Sequence, residues 1–192
     1  MESSHRSWEA IAQEFIAARS DIGSDVVRQW AKGLRPGSEV VDIGCGSGAP
    51  VSQTLVEAGI MVFGIDASPT LLSMFRRRFP ESPATCEMVQ SSNFFGQKFD
   101  GTVAVGLMFL LSEEDQLKLI EKVGQALRPS GRFLFSAPRA RCEWSDLQTG
   151  QPSLSLGAVD YQRQLACAGM LLEHIYVDGG GNHYFDSMLL PT

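Results

Sequence analysis

Two hydrophobic rhythms alternate along this chain. Trp8, Ile11, Ala12, Phe15 and Ile16 recur at three- and four-residue spacing, the stripe of an amphipathic helix. A second short helix is predicted from Ser24 to Ala31, broken by Gly33-Leu34-Arg35-Pro36-Gly37. The compact strand Glu39-Val40-Val41-Asp42-Ile43 then runs into Gly44-Cys45-Gly46-Ser47-Gly48. Pro50 suits the first turn of the next helix, which carries Val51 and Leu55 on one face and closes at Gly59. A strand over Met61–Ile65 is capped by Asp66, and Ser68-Pro69 opens a helix striped by Leu71, Leu72, Phe75 and Phe79.

The same alternation continues downstream. A weaker strand is expected over Ala84–Val89 and a clearer one over Phe99–Val105, with Gly106 at its end. Ser112 caps a helix, Asp115 completes a capping-box pattern, and Leu117, Ile120, Val123 and Leu127 form the expected buried face. Arg128-Pro129-Ser130-Gly131 ends that helix before the strand Arg132–Phe135. Residues 139–157 show no period and are long for a connection, which favours a functional excursion. A helix over Ala158–Ala168 precedes two strands, Leu171–Val177 and His183–Leu190. Their short joint, Asp178-Gly179-Gly180-Gly181-Asn182, demands an antiparallel hairpin. Strands alternating with helices predict a mostly parallel α/β sheet with one reversed strand.

Composition narrows the function classes. The chain has 192 residues, 44% of them hydrophobic, enough for one core without staples. A net charge of −6 disfavours a nucleic-acid partner, and the basic run Arg76-Arg77-Arg78 reads as a solvated helix end. No apolar segment behind the N-terminus resembles a signal peptide, and none reaches the ~20 residues of a membrane span. Four cysteines without a C-x-x-C pair suggest reduced thiols, no metal site and a cytoplasmic setting.

The chemistry concentrates at the first glycine loop. Glycines at alternate positions after a buried strand permit a sharp turn and bring a ligand against main-chain N–H groups at a helix N-terminus. Gly44, Gly46 and Ala49 also stand in the dinucleotide register G-x-G-x-x-A. Asp66, ending the next strand, can accept both hydrogens of a ribose diol, or can merely cap the helix at Ser68. Loop plus acid implies an adenosine-containing ligand. Asp42, two residues before the first glycine, opposes a diphosphate and welcomes a cation, which prefers S-adenosylmethionine to a nicotinamide dinucleotide.

Val40-Val41-Asp42-Ile43-Gly44-Cys45-Gly46-Ser47-Gly48 resembles the first motif of the class I S-adenosylmethionine-dependent methyltransferases. Gly64-Ile65-Asp66-Ala67-Ser68 resembles their second, and Phe99–Gly106 their fourth-strand motif. Ala126–Phe133 is similar to their turn into the fifth strand, and the closing hairpin to their reversed last strand. The resemblance implies a Rossmann-like, mostly parallel seven-stranded sheet with a reversed C-terminal hairpin strand and helices on both faces. It also implies S-adenosyl-L-methionine as cofactor and S-adenosyl-L-homocysteine as product. By the same resemblance Gly44, Cys45, Gly46 and Gly48 form the cofactor loop, with Asp42 on the ammonium side. Asp66 holds the ribose, Ala67 and Ser68 flank the adenine, and Gly106 and Leu107 floor the methionine portion. One departure stands out: after the third strand the chain reads Gln90-Ser91-Ser92-Asn93, with no acid for the adenine amino group. Ser91, Ser92 or Asn93 is expected to substitute.

After the fourth strand the chain reads Val105-Gly106-Leu107-Met108, unlike the Asn/Asp-Pro-Pro-Tyr/Phe of enzymes that methylate amino groups in nucleic acid or protein. A Pro-Cys nucleophile is also missing. A small-molecule acceptor, methylated on N, O or S, is therefore the expectation, with no nucleic-acid or membrane partner. His183 and Tyr184 are the general-base candidates, and Trp8, Phe15, Arg19 and Trp144 the acceptor-pocket candidates. The single domain 1–192 divides into a helical lid (1–31), a cofactor core (32–138), a substrate-side insertion (139–157) and a C-terminal helix and hairpin (158–192). Two other readings stay open: an NAD(P)-dependent oxidoreductase using the same loop, and a non-catalytic S-adenosylmethionine-binding protein.

Overall fold

The computed structural model describes residues 21–146 and 150–191, so the candidates Trp8, Phe15 and Arg19 lie outside the described residues. Seven strands form one sheet in the order β3-β2-β1-β4-β5-β9-β8. They are β1 (Glu39–Ile43), β2 (Met61–Asp66), β3 (Ala84–Cys86), β4 (Phe99–Ala104), β5 (Leu127–Ser136), β8 (Met170–Val177) and β9 (His183–Leu189). β1 pairs in parallel with both β2 and β4, and β4 in parallel with β5. β9 is antiparallel to β5 and β8, so it is the reversed strand, inserted between them.

Successive side chains of the central strands feed two cores, as the two-residue period of a strand requires. Val40, Val62, Val103, Leu134 and Tyr184 face α1 (Ser24–Ala31), α2 (Val51–Glu57) and α3 (Pro69–Arg78). Val41, Phe63, Ala104, Phe133 and Phe185 face α4 (Glu113–Ala126) and α5 (Ala158–Cys167). Both faces are covered, which is why β1 is buried at every position from Val40 to Ile43 rather than at alternate ones. Ser68 caps α3 by accepting from Leu71 N at 3.1 Å, as expected. Ser112 likewise accepts from Asp115 N at 3.2 Å, but the short Asp115 side chain closes no capping box; it accepts from Gln90 Nε2 at 3.2 Å instead.

Several boundaries differ from the sequence reading. β3 stops at Cys86 and β4 at Ala104. The buried face of α4 is Gln116, Leu119, Ile120 and Val123, with Leu117 only partly covered. Gln116, fully buried, donates to Leu111 O (3.0 Å) and Leu154 O (2.9 Å) and accepts from the Tyr161 hydroxyl (2.7 Å). That network ties α4 and α5 to a small hairpin, β6 (Cys142–Ser145) with β7 (Pro152–Ser155), inside the stretch expected to lack regular structure. Four-residue strands offer two apolar positions each, too few to show a period.

The segment expected to be all lid is, from Ser24 onward, part of the core. Trp30 is fully buried against Gly101 of β4, and its Nε1 donates to Asp186 Oδ1 on β9 at 3.0 Å. Arg132 ion-pairs with the buried Asp186 and lies 3.5 Å from Glu173; the Tyr176 hydroxyl donates to Asp186 at 3.3 Å. Burial pushes the Asp186 carboxyl above its ordinary value, against the pull of Arg132. Glu173, His174 and Asp186 cluster closely enough to suggest a metal, yet Arg132 already supplies the positive charge there.

Asp186→Ala would strand the Trp30 N–H and the Arg132 guanidinium at the α1–β5–β9 junction. Urea denaturation should show a loss of about 3–5 kcal/mol, the cost of breaking a buried pair from one side. A loss below about 1 kcal/mol would mean that this junction does not hold α1 in place.

Candidate functional site

A cleft of about 1130 Å³ opens at the carboxyl ends of β1, β2, β4 and β5, where open parallel sheets receive ligands. Because β9 is reversed, its first residues, His183 and Tyr184, reach the same rim: Tyr184 pairs with Ser136, and Ala137 N donates to His183 O at 3.1 Å.

The glycine loop forms the near wall. Gly44 and Gly46 adopt φ of +73° and +55°, the left-handed region where a side chain is strained. Gly44 N and Cys45 N both donate to Ile65 O, at 2.8 and 3.0 Å. Gly46 N donates to Asp66 Oδ2 at 2.7 Å, and Ser68 N donates to Asp66 Oδ1 at 2.8 Å. One carboxylate thus joins the loop after β1 to the start of α3. Asp66 thus caps the turn into the helix and also lines the cleft.

Of the residues singled out from sequence, Gly44, Gly46, Asp66, Ala67, Ser68, Gly106, Leu107, Trp144, His183 and Tyr184 line the cleft. Others do not. Asp42 is buried behind the loop, accepts from the Ser52 hydroxyl on α2 and does not line the cleft. Cys45 is buried, with Sγ against Gly64. A Cβ on Gly48 would stand 2.3 Å from the Phe79 ring, so this glycine is needed for packing, not for a ligand.

Neither Ser91 nor Ser92, expected beside the adenine, lines the cleft. Ser91 is exposed and donates to Met88 O at 3.1 Å. Ser92 is buried, donates to Glu87 Oε1 (2.6 Å) and accepts from Phe94 N (3.0 Å), bracing a tight turn in which Phe94 and Phe95 have positive φ. The cleft wall after β3 is instead Glu87-Met88-Val89-Gln90. Ending β3 at Cys86 rather than Val89 makes the difference, because it turns Glu87 into the first residue after the strand. Lys122 of α4 locks this wall by donating to Val89 O (3.2 Å), Gln90 O (2.9 Å) and Ser92 O (2.9 Å). Its role had no sequence signal, since it comes from a helix far along the chain.

Gly106 has φ +78° and donates through N to Ser136 Oγ at 2.8 Å, while Leu107 packs on Gly44. On the opposite side the Tyr184 hydroxyl donates to Asp178 Oδ2 at 2.9 Å. Burial alone would push the Asp178 carboxyl up. Hydrogen bonds from the Asn182 side chain and N–H, the Tyr184 hydroxyl and Gly180 N–H outweigh it and hold Asp178 below its ordinary value. The half-buried Trp144 of β6 meets Phe109, ring centroids 5.5 Å apart, which leans the hairpin over the turn after β4.

Residues 40–131 match a family model described as a methyltransferase domain. The chain is 32% identical over 121 residues to the ubiquinone biosynthesis O-methyltransferase of Actinobacillus pleuropneumoniae serotype 7, covering 58% of this chain and 50% of that protein. It is 29% identical over 114 residues to the probable tRNA methyltransferase 9B of Mus musculus, covering 57% of this chain and 24% of that one. The chain thus spans a quarter to about half the length of these curated relatives. Among solved structures, CcbJ methyltransferase from Streptomyces caelestis superposes with a TM-score of 0.74 at 14% identity, over 94% of this chain and 96% of that one. Magnesium protoporphyrin IX methyltransferase from Synechocystis PCC 6803, with bound S-adenosylmethionine, gives 0.69 at 18% identity, over 86% and 77%. These likenesses show the fold. Among the described residues no helix is long and apolar enough to cross a membrane.

Lys122→Met keeps the aliphatic stem and removes three hydrogen bonds to the cleft wall. Chemical denaturation should register a loss of about 1.5–3 kcal/mol. Hydrogen exchange should quicken first at Ser91 and Ser92, whose amides close that turn on Met88 O. Unchanged exchange there would show that Lys122 does not lock the wall.

Proposed function

We propose that this chain is a class I S-adenosylmethionine-dependent methyltransferase and that it transfers a methyl group from S-adenosylmethionine to N, O or S of a small-molecule acceptor. The observation that carries the reading is the Asp66 carboxylate, bonded to the amides of Gly46 and Ser68 while lining the cleft. In this reading the same carboxylate accepts from the ribose hydroxyls on its cleft side.

Charge supports this cofactor over a dinucleotide. Around the ends of β1, β2 and β3 the cleft is lined by Asp66, Glu87 and Asp115, with no Lys or Arg among the described lining residues there. A diphosphate would meet three carboxylates and no cation, whereas a sulfonium and an ammonium find a favourable field. Asp42 adds to that field from behind the loop.

In this reading Gly44 and Gly46 admit the methionine and sugar portions because no side chain fills that space. Ala67 and Ser68 flank the adenine, Glu87 and Gln90 replace Ser91 and Ser92 as its polar neighbours, and the Gly106–Leu107 turn floors the methionine end. The bound cofactor supplies an electrophilic methyl group for in-line displacement by the acceptor. The chain's part is alignment and exclusion of water, which together can supply roughly 7–11 kcal/mol. His183 at the start of β9 takes the acceptor's proton. Tyr184 is a positioning residue, since its hydroxyl already donates to the ionised Asp178.

A small-molecule acceptor is favoured by a cleft roofed by its own hairpin and by relatives of that kind. The Actinobacillus protein named above is a ubiquinone biosynthesis O-methyltransferase. A Burkholderia thailandensis neighbour, superposing at a TM-score of 0.70 and 18% identity over 94% of this chain and 87% of that one, is a 1,6-didemethyltoxoflavin-N1-methyltransferase.

Calorimetric titration should show binding of S-adenosylhomocysteine and none of NAD or NADP, with Asp66→Ala weakening it by about 1.5–3 kcal/mol. Heat from the nicotinamide nucleotides alone would overturn the cofactor. With a tritiated methyl donor and a panel of phenols, amines and thiols, His183→Ala should cut turnover about 10²–10⁴-fold and leave product binding unchanged. Donor binding without transfer to any class would point to the non-catalytic reading.

A further inference from the structure

We infer that the acceptor half of the cleft is built for a flat aromatic acid, its ring against Phe109 and Trp144 and its carboxylate on the guanidinium of Arg139. This rests on the methyl-transfer reading above, which leaves the half of the cleft over β4, β5 and β9 to the acceptor.

Arg139 is the only Lys or Arg among the described residues lining the cleft, and its side chain has no ion pair or hydrogen bond among them. The contrast with Arg141 is direct. Two positions on, that guanidinium is held by Glu113 at 2.7 Å and Asp160 at 3.2 Å, outside the cleft lining. Four acids line the cleft, Asp66, Glu87, Asp115 and Asp146, yet Arg139 pairs with none of them. An exposed arginine without a partner is ordinary on a free surface. Here it stands on backbone clamped from both sides.

Pro138 O accepts from Ser155 Oγ at 2.7 Å, and Arg139 O accepts from Ala158 N at 2.9 Å, at the start of α5. Gly157 lies so close to Arg141 that an added Cβ would stand 2.7 Å from its backbone N. The Cα of Arg139 is therefore presented rigidly at the rim, which lowers the entropy cost of engaging its side chain. Its planar fork matches a carboxylate in bidentate fashion, and one guanidinium balances a monoanion.

The ring site is equally specific. Phe109 and Trp144 are both half-buried, both line the cleft, and meet at an interplanar angle of 45°. They offer aromatic surface to a planar ligand at little entropic cost. His183 stands on the neighbouring strand, its carbonyl bonded to Ala137 N two residues before Arg139, so base and cation share one rim.

The test uses the full chain saturated with S-adenosylhomocysteine, whose binding is first established by calorimetry. The probes are 3,4-dihydroxybenzoate and its uncharged partner 3,4-dihydroxybenzamide, with dissociation constants from ligand-observed NMR. The acid should bind about tenfold or more tighter than the amide, a difference of about 1.4 kcal/mol. Arg139→Gln should bring the two probes within about twofold and leave S-adenosylhomocysteine binding unchanged. Trp144→Leu should weaken both probes alike. Equal binding of acid and amide, a preference that survives Arg139→Gln, or no binding of either at millimolar concentration each overturns the inference. Failure of S-adenosylhomocysteine to bind instead refutes the methyl-transfer reading, independently of how the probes behave.

Discussion

The carboxylate of Asp66 accepts from two amides on separate elements, and the cleft takes its shape from that pair of bonds. A buried parallel strand that ends in a sharp turn leaves N–H groups in need of partners. Ile65 O satisfies those of Gly44 and Cys45, and Asp66 that of Gly46. The end of β2 thus dictates the path of the loop after β1. Because Asp66 also accepts from Ser68 N, the α3 N-terminus is held in the same frame. A charged acceptor suits both tasks, being stronger than a neutral one and favoured near a helix start.

A second constraint closes the other side of the site. β9 returns between β5 and β8, so it delivers His183 and Tyr184 to the rim where the parallel strands end. Asp186, three residues into that strand, is buried among Trp30, Arg132 and Tyr176. That cluster joins α1 to the reversed strand from below, while Asp178 holds the Tyr184 hydroxyl at its upper end. The strand is therefore fixed at both heights by carboxylates with several partners each.

Charge is divided along the cleft in a way that matches the proposed chemistry. Among the described lining residues three of the four acids gather over β1, β2 and β3, the place proposed for a sulfonium nucleoside, and the one arginine stands beyond β5, on the side proposed for the acceptor. The hairpin of β6 and β7 makes the second region a pocket, and buried Gln116 seats it by bridging Leu154, Leu111 and Tyr161. Placing a satisfied glutamine under a roof gives it a definite position, although Ser153 Oγ on β7 stays buried without a hydrogen-bond partner among the described residues.

Much of this was legible in the order of residues. The limits of α1 and β1, the Ser68 and Ser112 caps, the reversed strand and the Gly44–Gly46–Asp66 constellation all follow from period, turn chemistry and local hydrogen-bonding capacity, which act over a few neighbours. What the order of residues left undecided was which side chains reach the cleft. Ser91 and Ser92 gave way to Glu87 and Gln90 because Lys122, from a distant helix, clamps the wall. Asp42 and Cys45 turned inward because α2 and β2 pack behind the loop, and β6 and β7 became a hairpin only by leaning on Gln116 and Phe109. Local pattern sets what each segment is. The direction of a side chain at the end of a strand is set by contacts between segments remote in sequence, and those exist only once the sheet has closed.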